Sequence, residues 1–147
     1  MLQYHFNWKT LSVAAGMTWW NFYFQIFEKA IGAVETVEFL LHLLRHLPGP
    51  LLIVWDRLPA HRSRFVWDFV RDLKGLIAIE YLPPYAPELN PVEGPWGYLK
   101  FNPMANLPLT RLTHLTSTTR RHARSVQRKE FLLRAFIKHS HLPLRLK

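Results

Sequence analysis

The sequence predicts an α/β domain, a mixed sheet with helices on its faces. Three observations carry that prediction. Apolar runs of strand length alternate with stretches of helical spacing from residue 34 onward, the order that produces parallel strands joined by helices. The first two strand-like runs follow each other without a helix between them, which allows only antiparallel pairing at the start. Proline and glycine then punctuate the chain at Pro48-Gly49-Pro50, Gly75, Pro83-Pro84 and Pro103, where one element must stop before the next begins.

Each element has its own signal. Residues 9–17 (KTLSVAAGM) and 20–27 (WNFYFQIF) are aromatic and β-branched enough to be strands, joined as a hairpin whose turn lacks an Asn-Gly signal. Val34, Val37, Leu40, Leu41, Leu44 and Leu47 recur at helical spacing, with Glu35, Glu38 and Arg45 off that face. Leu51–Trp55 is short, continuously apolar and strand-like, as in a buried parallel sheet. Phe65, Val66, Phe69, Val70 and Leu73 form the expected inner face of a second helix, and 76–81 the following strand. Asn90 is the expected cap of a helix with Pro91 at its first position, carrying Glu93, Trp96, Leu99 and Lys100. Two further helices, at about 108–123 and 125–140, hold most of the basic residues of the last third. No internal repeat or low-complexity tract interrupts this order.

At 147 residues, 49% of them hydrophobic, the chain is one domain's worth and can bury an ordinary core. The run Leu51–Trp55 is far too short to span a bilayer, and MLQYHFNWKT lacks the basic and apolar regions of a signal peptide. With no cysteine there are no disulfides and no thiolate metal ligands, which fits a reducing cytoplasm. Charge is unevenly divided. Residues 1–99 hold eight Lys and Arg against nine Asp and Glu, a net of −1, whereas residues 100–147 hold eleven against Glu130 alone, a net of +10. A surplus confined to the last third suits a polyanionic partner, DNA or RNA; the bland reading is a solvated basic helix face.

Two carboxylates stand where chemistry is possible. Asp56 follows LLIVW at the C-terminal edge of its strand, where open α/β sheets place their ligands, although a turn-forming aspartate has the same address. Glu93 lies 37 positions later in the first turn of a helix, where it is either a metal ligand or the partner of Asn90 in a capping box. His61, with Arg62 and Ser63 behind it, sits at an expected helix start and could bind a phosphate there or cap the helix. Arg57 could pair with Asp56, and Glu80 and Glu88 are weaker carboxylate candidates. No glycine-rich phosphate loop and no histidine cluster of zinc spacing occurs.

The combination WD-x-x-x-x-HRS, LPPYAPELNPVEGPW and Tyr98-Leu99-Lys100 resembles the catalytic domain of bacterial insertion-sequence transposases related to the mariner elements. HFNWKTLSVAAGM and the arginine-rich C-terminal helices resemble one branch of that family, so the likeness covers essentially the whole chain. The resemblance implies a ribonuclease-H-like fold and an Asp-Asp-Glu triad that binds two Mg²⁺ or Mn²⁺ ions for DNA cleavage and strand transfer. Asp56 is similar to the second aspartate and Glu93 to the final glutamate. The first aspartate is expected on a central strand preceding Lys9. The only aspartates here are Asp56, Asp68 and Asp72, so the chain is expected to lack it. Arg57 departs from the Asn or Gly frequent in the family.

The resulting expectation is a C-terminal transposase fragment, inactive alone, with weak or absent metal binding. Residues 1–104 would form a partial catalytic domain and 105–147 its basic helical extension. His61, Arg62, Lys100, Arg120, Arg121, Arg124 and Arg128 would contact transposon-end and target DNA. Partners implied are the upstream half of the transposase and a second copy in a dimer, without a membrane, in the nucleoid region of a bacterial cytoplasm. The alternative is a non-catalytic basic DNA-binding remnant or reused domain.

Overall fold

The computed structural model describes residues 2–6, 9–101 and 112–142. In chain order the elements are β1 (Leu2–Phe6), β2 (Lys9–Met17), β3 (Phe22–Phe27), α1 (Ala33–His46), β4 (Leu51–Trp55), α2 (Arg64–Asp72), β5 (Ile77–Tyr81), a 3₁₀ turn (Pro87–Leu89), α3 (Glu93–Phe101), α4 (Leu112–Gln127) and α5 (Glu130–His139). No described helix is long and apolar enough to cross a membrane.

The expected single mixed sheet is instead two sheets. β1, β2 and β3 form an antiparallel sheet in that order, and β4 and β5 form a separate parallel pair. An unexpected strand, β1, precedes the hairpin; its register runs from Phe6 opposite Lys9 to Leu2 opposite Val13. The hairpin turn also differs from expectation. Thr18 Oγ1 accepts hydrogen bonds from the backbone N–H groups of Trp20 (3.3 Å) and Asn21 (3.1 Å). This hydroxyl-bonded turn takes the place of an Asn-Gly dipeptide and delays β3 to Phe22.

Strand alternation sends successive side chains of β2 and β3 to opposite faces, and helices cover both. Val13 and Phe22 pack with Trp96 and Leu99 of α3, Ala123 and Val126 of α4, and Leu133 of α5. Tyr23 faces the other way, into a second core with Phe39, Leu40 and Leu43 of α1, Trp55 of β4, Val66 and Val70 of α2, and Ile77 of β5. Gln127 Nε2 donates to the Phe22 carbonyl and ties the end of α4 to β3.

Helical periodicity located the helices better than their inner faces. In α1, Val34 and Leu41 are exposed while Phe39, Leu40 and Leu43 are buried, because the helix turns its Phe39 side toward the sheet. In α2, Val66 and Val70 are buried but Phe65 is exposed. Ser63, not His61, caps that helix by accepting from the Val66 N–H (3.3 Å). The basic helices divide at Arg128-Lys129, not near residue 124. The start of the first of them, at 108–111, lies outside the described residues.

Candidate active site

β4 ends at Trp55 and delivers Asp56 to the sheet edge. There Asp56 Oδ1 accepts the backbone N–H of Leu58 (3.1 Å) and stands 2.7 Å from His61 Nδ1. The same His61 nitrogen lies 3.2 Å from the Asp56 carbonyl. The His61 ring stacks on Trp55, with centroids 4.2 Å apart and planes 3° from parallel. Tyr81 Oη donates to the His61 carbonyl (3.0 Å), so β5 also braces the histidine. Burial by itself would raise the Asp56 pKa, but the hydrogen bonds from His61 and Leu58 outweigh it and hold the carboxyl below its ordinary range. Asp56 is therefore ionised at neutral pH.

Arg57 does not pair with this carboxylate. Its Nε donates to the Leu82 carbonyl (3.1 Å), and its guanidinium lies 5.6 Å from the centre of the Tyr81 ring.

Glu93 opens α3 and is exposed. The capping-box alternative fails on geometry: Asn90 spends its backbone N–H on the Pro87 carbonyl (2.9 Å), leaving none for Glu93. Asn90 Oδ1 instead accepts from the Val92 N–H (3.3 Å), and the helix starts at Glu93 rather than Pro91. Among the described residues the Glu93 carboxylate has no ion-pair partner, and the positive end of the helix favours its charge. Close packing fixes the position of this helix start. A Cβ on Gly94 would lie 2.5 Å from the Phe136 ring, so only glycine allows α3 and α5 to approach this closely.

Between the two sheets lies a cavity of about 400 Å³, lined by residues 13–17 of β2, 51–55 of β4, and also by Asp56, His61 and 90–92. β1 pairs with β2 as far as Val13, so among the described residues one edge of Ala14–Met17 has no ladder partner. Among the described residues β4 pairs only with β5, and its other edge has no strand partner. Asp56 and the 90–92 turn that precedes α3 thus line a cavity beside two strand edges that lack a ladder partner among the described residues.

Oxygen donors without thiolates suit a hard divalent ion such as Mg²⁺ or Mn²⁺. Among the described residues, however, no three His, Cys, Asp or Glu converge as a metal-holding group. Asp56 and Glu93 fit such an ion in kind and supply part of a ligand set.

The other charged feature is a groove of about 620 Å³ along α4, formed by Ser117, Arg120, Arg121, Arg124, Ser125 and Arg128 with Lys129 at its end. The four arginines are exposed, and none makes an ion pair among the described residues. Lys129 Nζ is held by Tyr98 Oη (3.0 Å). Sequence reading found the arginines but passed over Lys129 and the serines; the spacing 117, 121, 124, 128 on one helix face was the available signal. Arg62 is exposed in the turn before α2, His61 is committed to Asp56, and the Lys100 side chain lies outside the described residues.

A family model described as DDE superfamily endonuclease matches residues 3–115. No curated protein sequence matches the chain. Among solved structures, the catalytic domain of Mos1 mariner transposase superposes with a TM-score of 0.63 at 14% identity, covering 98% of this chain and 81% of that one. The same domain has been solved with raltegravir and Mn or Mg. The Mos1 strand transfer complex gives a TM-score of 0.60 at 14% identity, covering 99% of this chain and 47% of that one. The simian T-cell lymphotropic virus intasome, bound to PP2A regulatory subunit B56 gamma, gives 0.56 at 18%, covering 99% and 55%. At these identities the likeness is one of fold, the ribonuclease-H-like α/β arrangement. The family match covers most of the chain, and the protein belongs to the DDE superfamily endonucleases.

Proposed function

We propose that this chain supplies the second and third carboxylates, Asp56 and Glu93, of a transposase that cleaves DNA and joins strands, of the mariner-related insertion-sequence type. The observation that carries the reading is an ionised, oriented carboxylate at the end of β4, with a second carboxylate, exposed and without an ion pair among the described residues, at the start of α3. When bound, Mg²⁺ or Mn²⁺ would neutralise charge on the phosphodiester and activate a water or 3′-hydroxyl. The chain's own part is to hold Asp56 and Glu93 on rigid elements and to engage DNA phosphates with Arg120, Arg121, Arg124 and Arg128. Arg62, exposed in the turn after Asp56, belongs to the proposed DNA-facing side.

Two carboxylates cannot neutralise two divalent ions as three can. The cavity between β2 and β4 supports a second element of the proposal: a strand bearing a further aspartate enters there, pairs with both free edges and completes the sheet. The upstream half of a transposase is the proposed donor, acting on DNA in a bacterial cytoplasm as part of a dimer. A second reading, a non-catalytic DNA-binding protein, is favoured by one observation, the absence of a three-residue metal cluster among the described residues.

The two readings part in one experiment. The chain should bind element-end DNA but fail to nick it with Mn²⁺, and nicking should appear when the upstream half is co-expressed. That activity should vanish in Asp56→Ala and in Glu93→Ala. DNA binding without cleavage in the reconstituted protein would leave the non-catalytic reading standing. Specific nicking by the unaided chain, lost in Asp56→Ala, would show that no further strand is required.

A further inference from the structure

We propose that His61 is a positioning residue that fixes which oxygen of Asp56 meets a divalent cation, an inference that rests on the metal-dependent reading above. Oδ1 is occupied twice, by His61 Nδ1 at 2.7 Å and by the Leu58 N–H at 3.1 Å. Oδ2 receives no hydrogen bond from the described residues, so it is the oxygen of Asp56 that would hold a divalent ion. A carboxylate oxygen only accepts, so the contact requires the proton on Nδ1 and leaves Nε2 unprotonated when the ring is neutral.

The histidine is itself immobilised from three sides. Trp55 stacks on one face of the ring, Tyr81 Oη holds its carbonyl, and the turn from Asp56 to Ser63 is closed by hydrogen bonds from the Arg62 N–H to the Leu58 and Pro59 carbonyls (both 3.2 Å). Such bracing is more than a phosphate contact needs. An exposed cation binds phosphate well while mobile, whereas a carboxylate that must share an ion with a second carboxylate on another element loses affinity when its rotamer wanders. His61 therefore acts through Asp56 and touches neither the ion nor the phosphate.

Two measurements on the full chain test this, one without metal. Three-bond proton couplings should show one Asp56 χ1 rotamer in the wild type, averaging in His61→Ala, and one rotamer again in His61→Asn, whose amide N–H falls near the position of Nδ1. Mn²⁺, followed by paramagnetic broadening of the Trp55 indole signal, should bind about 10-fold more weakly or worse in His61→Ala and near wild-type strength in His61→Asn. Retained signals from the α3–α5 core in both variants would exclude unfolding as the cause. A single Asp56 rotamer in folded His61→Ala would overturn the proposal, as would averaging already present in the wild type. Imidazole nitrogen coupling to Mn²⁺ in pulsed electron paramagnetic resonance would also overturn it, by making His61 a ligand. If the wild type binds no Mn²⁺ even with the upstream half co-expressed, the metal-dependent reading fails, and the couplings still decide whether His61 sets the carboxylate.

Discussion

The antiparallel and parallel sheets are built to different degrees of completion. Around β2 and β3 both faces are covered: Phe22 is fully buried against α3 and α4, and its neighbour Tyr23 is buried against α1. Around β4 the described residues cover only one face. Leu51, Ile53 and Trp55 pack toward α1 and α2, while Leu52 on the opposite face is 64% exposed and Val54 is 38% exposed. The basic face of α4 is anchored to the complete half, through Ala123, Val126 and the Gln127 bond to β3. Asp56 is anchored to the incomplete one. The proposed nucleic-acid binding and the proposed carboxylate chemistry therefore rest on supports of unequal strength, and a change in one sheet should leave the other measurable.

Core substitutions should expose that inequality most strongly. Phe22→Ala removes a fully buried ring and should cost about 3–5 kcal/mol in denaturant unfolding. Leu52→Asn, on the bare face of β4, should change stability by about 0.5 kcal/mol or less. Equal costs at the two sites would mean that the exposed face is covered in solution, and the comparison between the halves would fall.

The groove gives the next largest effect. Four unpaired arginines neutralising about four phosphates predict a slope of log K against log salt near −3.6, hence a loss of about 100-fold in DNA affinity between roughly 50 and 200 mM salt. Arg124→Ala with Arg128→Ala should lower that slope by about two units. Because these residues stand on the complete half, the double variant should leave the Asp56 rotamer unchanged. A coupled loss of both would show that the halves are not independent.

Gly94→Ala should act where the supports meet. The added methyl group collides with Phe136, so α3 or α5 must shift, at a cost of about 1–3 kcal/mol. Glu93 is the residue next to the collision and would move with the helix. Restoring stability with Phe136→Leu would confirm the contact as the cause; no loss on Gly94→Ala would show that the two helices have room to spare.

The sequence disclosed this arrangement unevenly, and each shortfall has a physical source. Continuous apolar runs and proline stops located β4, α2, β5 and α3 within a few residues, because those signals are local. Whether two strands share a sheet is not local: nothing in LLIVW or KTLSVAAGM states that hydrogen bonds fail to connect them. Asp56 was legible as a strand-end carboxylate, but its bond to His61 depends on how the Leu58–Ser63 turn folds back. Glu93 was legible as a carboxylate at a helix start. Its freedom from Asn90 was hidden by the 3₁₀ turn at Pro87–Leu89, which claims the asparagine's N–H. Helical phase was the commonest error, since Val34 and Phe65 share a spacing with core residues yet fall just outside the buried arc.

The smallest effect concerns the element that spans the two halves. α1 contributes Phe39, Leu40 and Leu43 to the core that joins Tyr23 of β3 to Trp55 of β4. Its N-terminus is held by Glu35, whose carboxylate pairs with Lys29 and accepts the Gly32 N–H at 2.9 Å. The Lys29 hydrogen bond first, and then the Gly32 N–H, lower the Glu35 pKa from 4.5 to about 2. A depressed folded-state pKa stabilises the protein above the unfolded value and loses that contribution as protons bind the folded carboxylate. Stability should thus decline as pH falls from about 4.5 toward about 2, and Glu35→Gln should flatten that decline. Lys29 is 61% exposed, so solvent screens the pair and the effect should fall below those of Phe22→Ala and Gly94→Ala. Asp56 is also lowered and titrates in the acid range, which makes Asp56→Asn the necessary control. Thermal midpoints at several acidic pH values separate them, provided both sheets are followed. If Glu35 acts through the seam, its variant should change the acid response of Tyr23 and Trp55 signals together; a response confined to one sheet would show that α1 supports only that half.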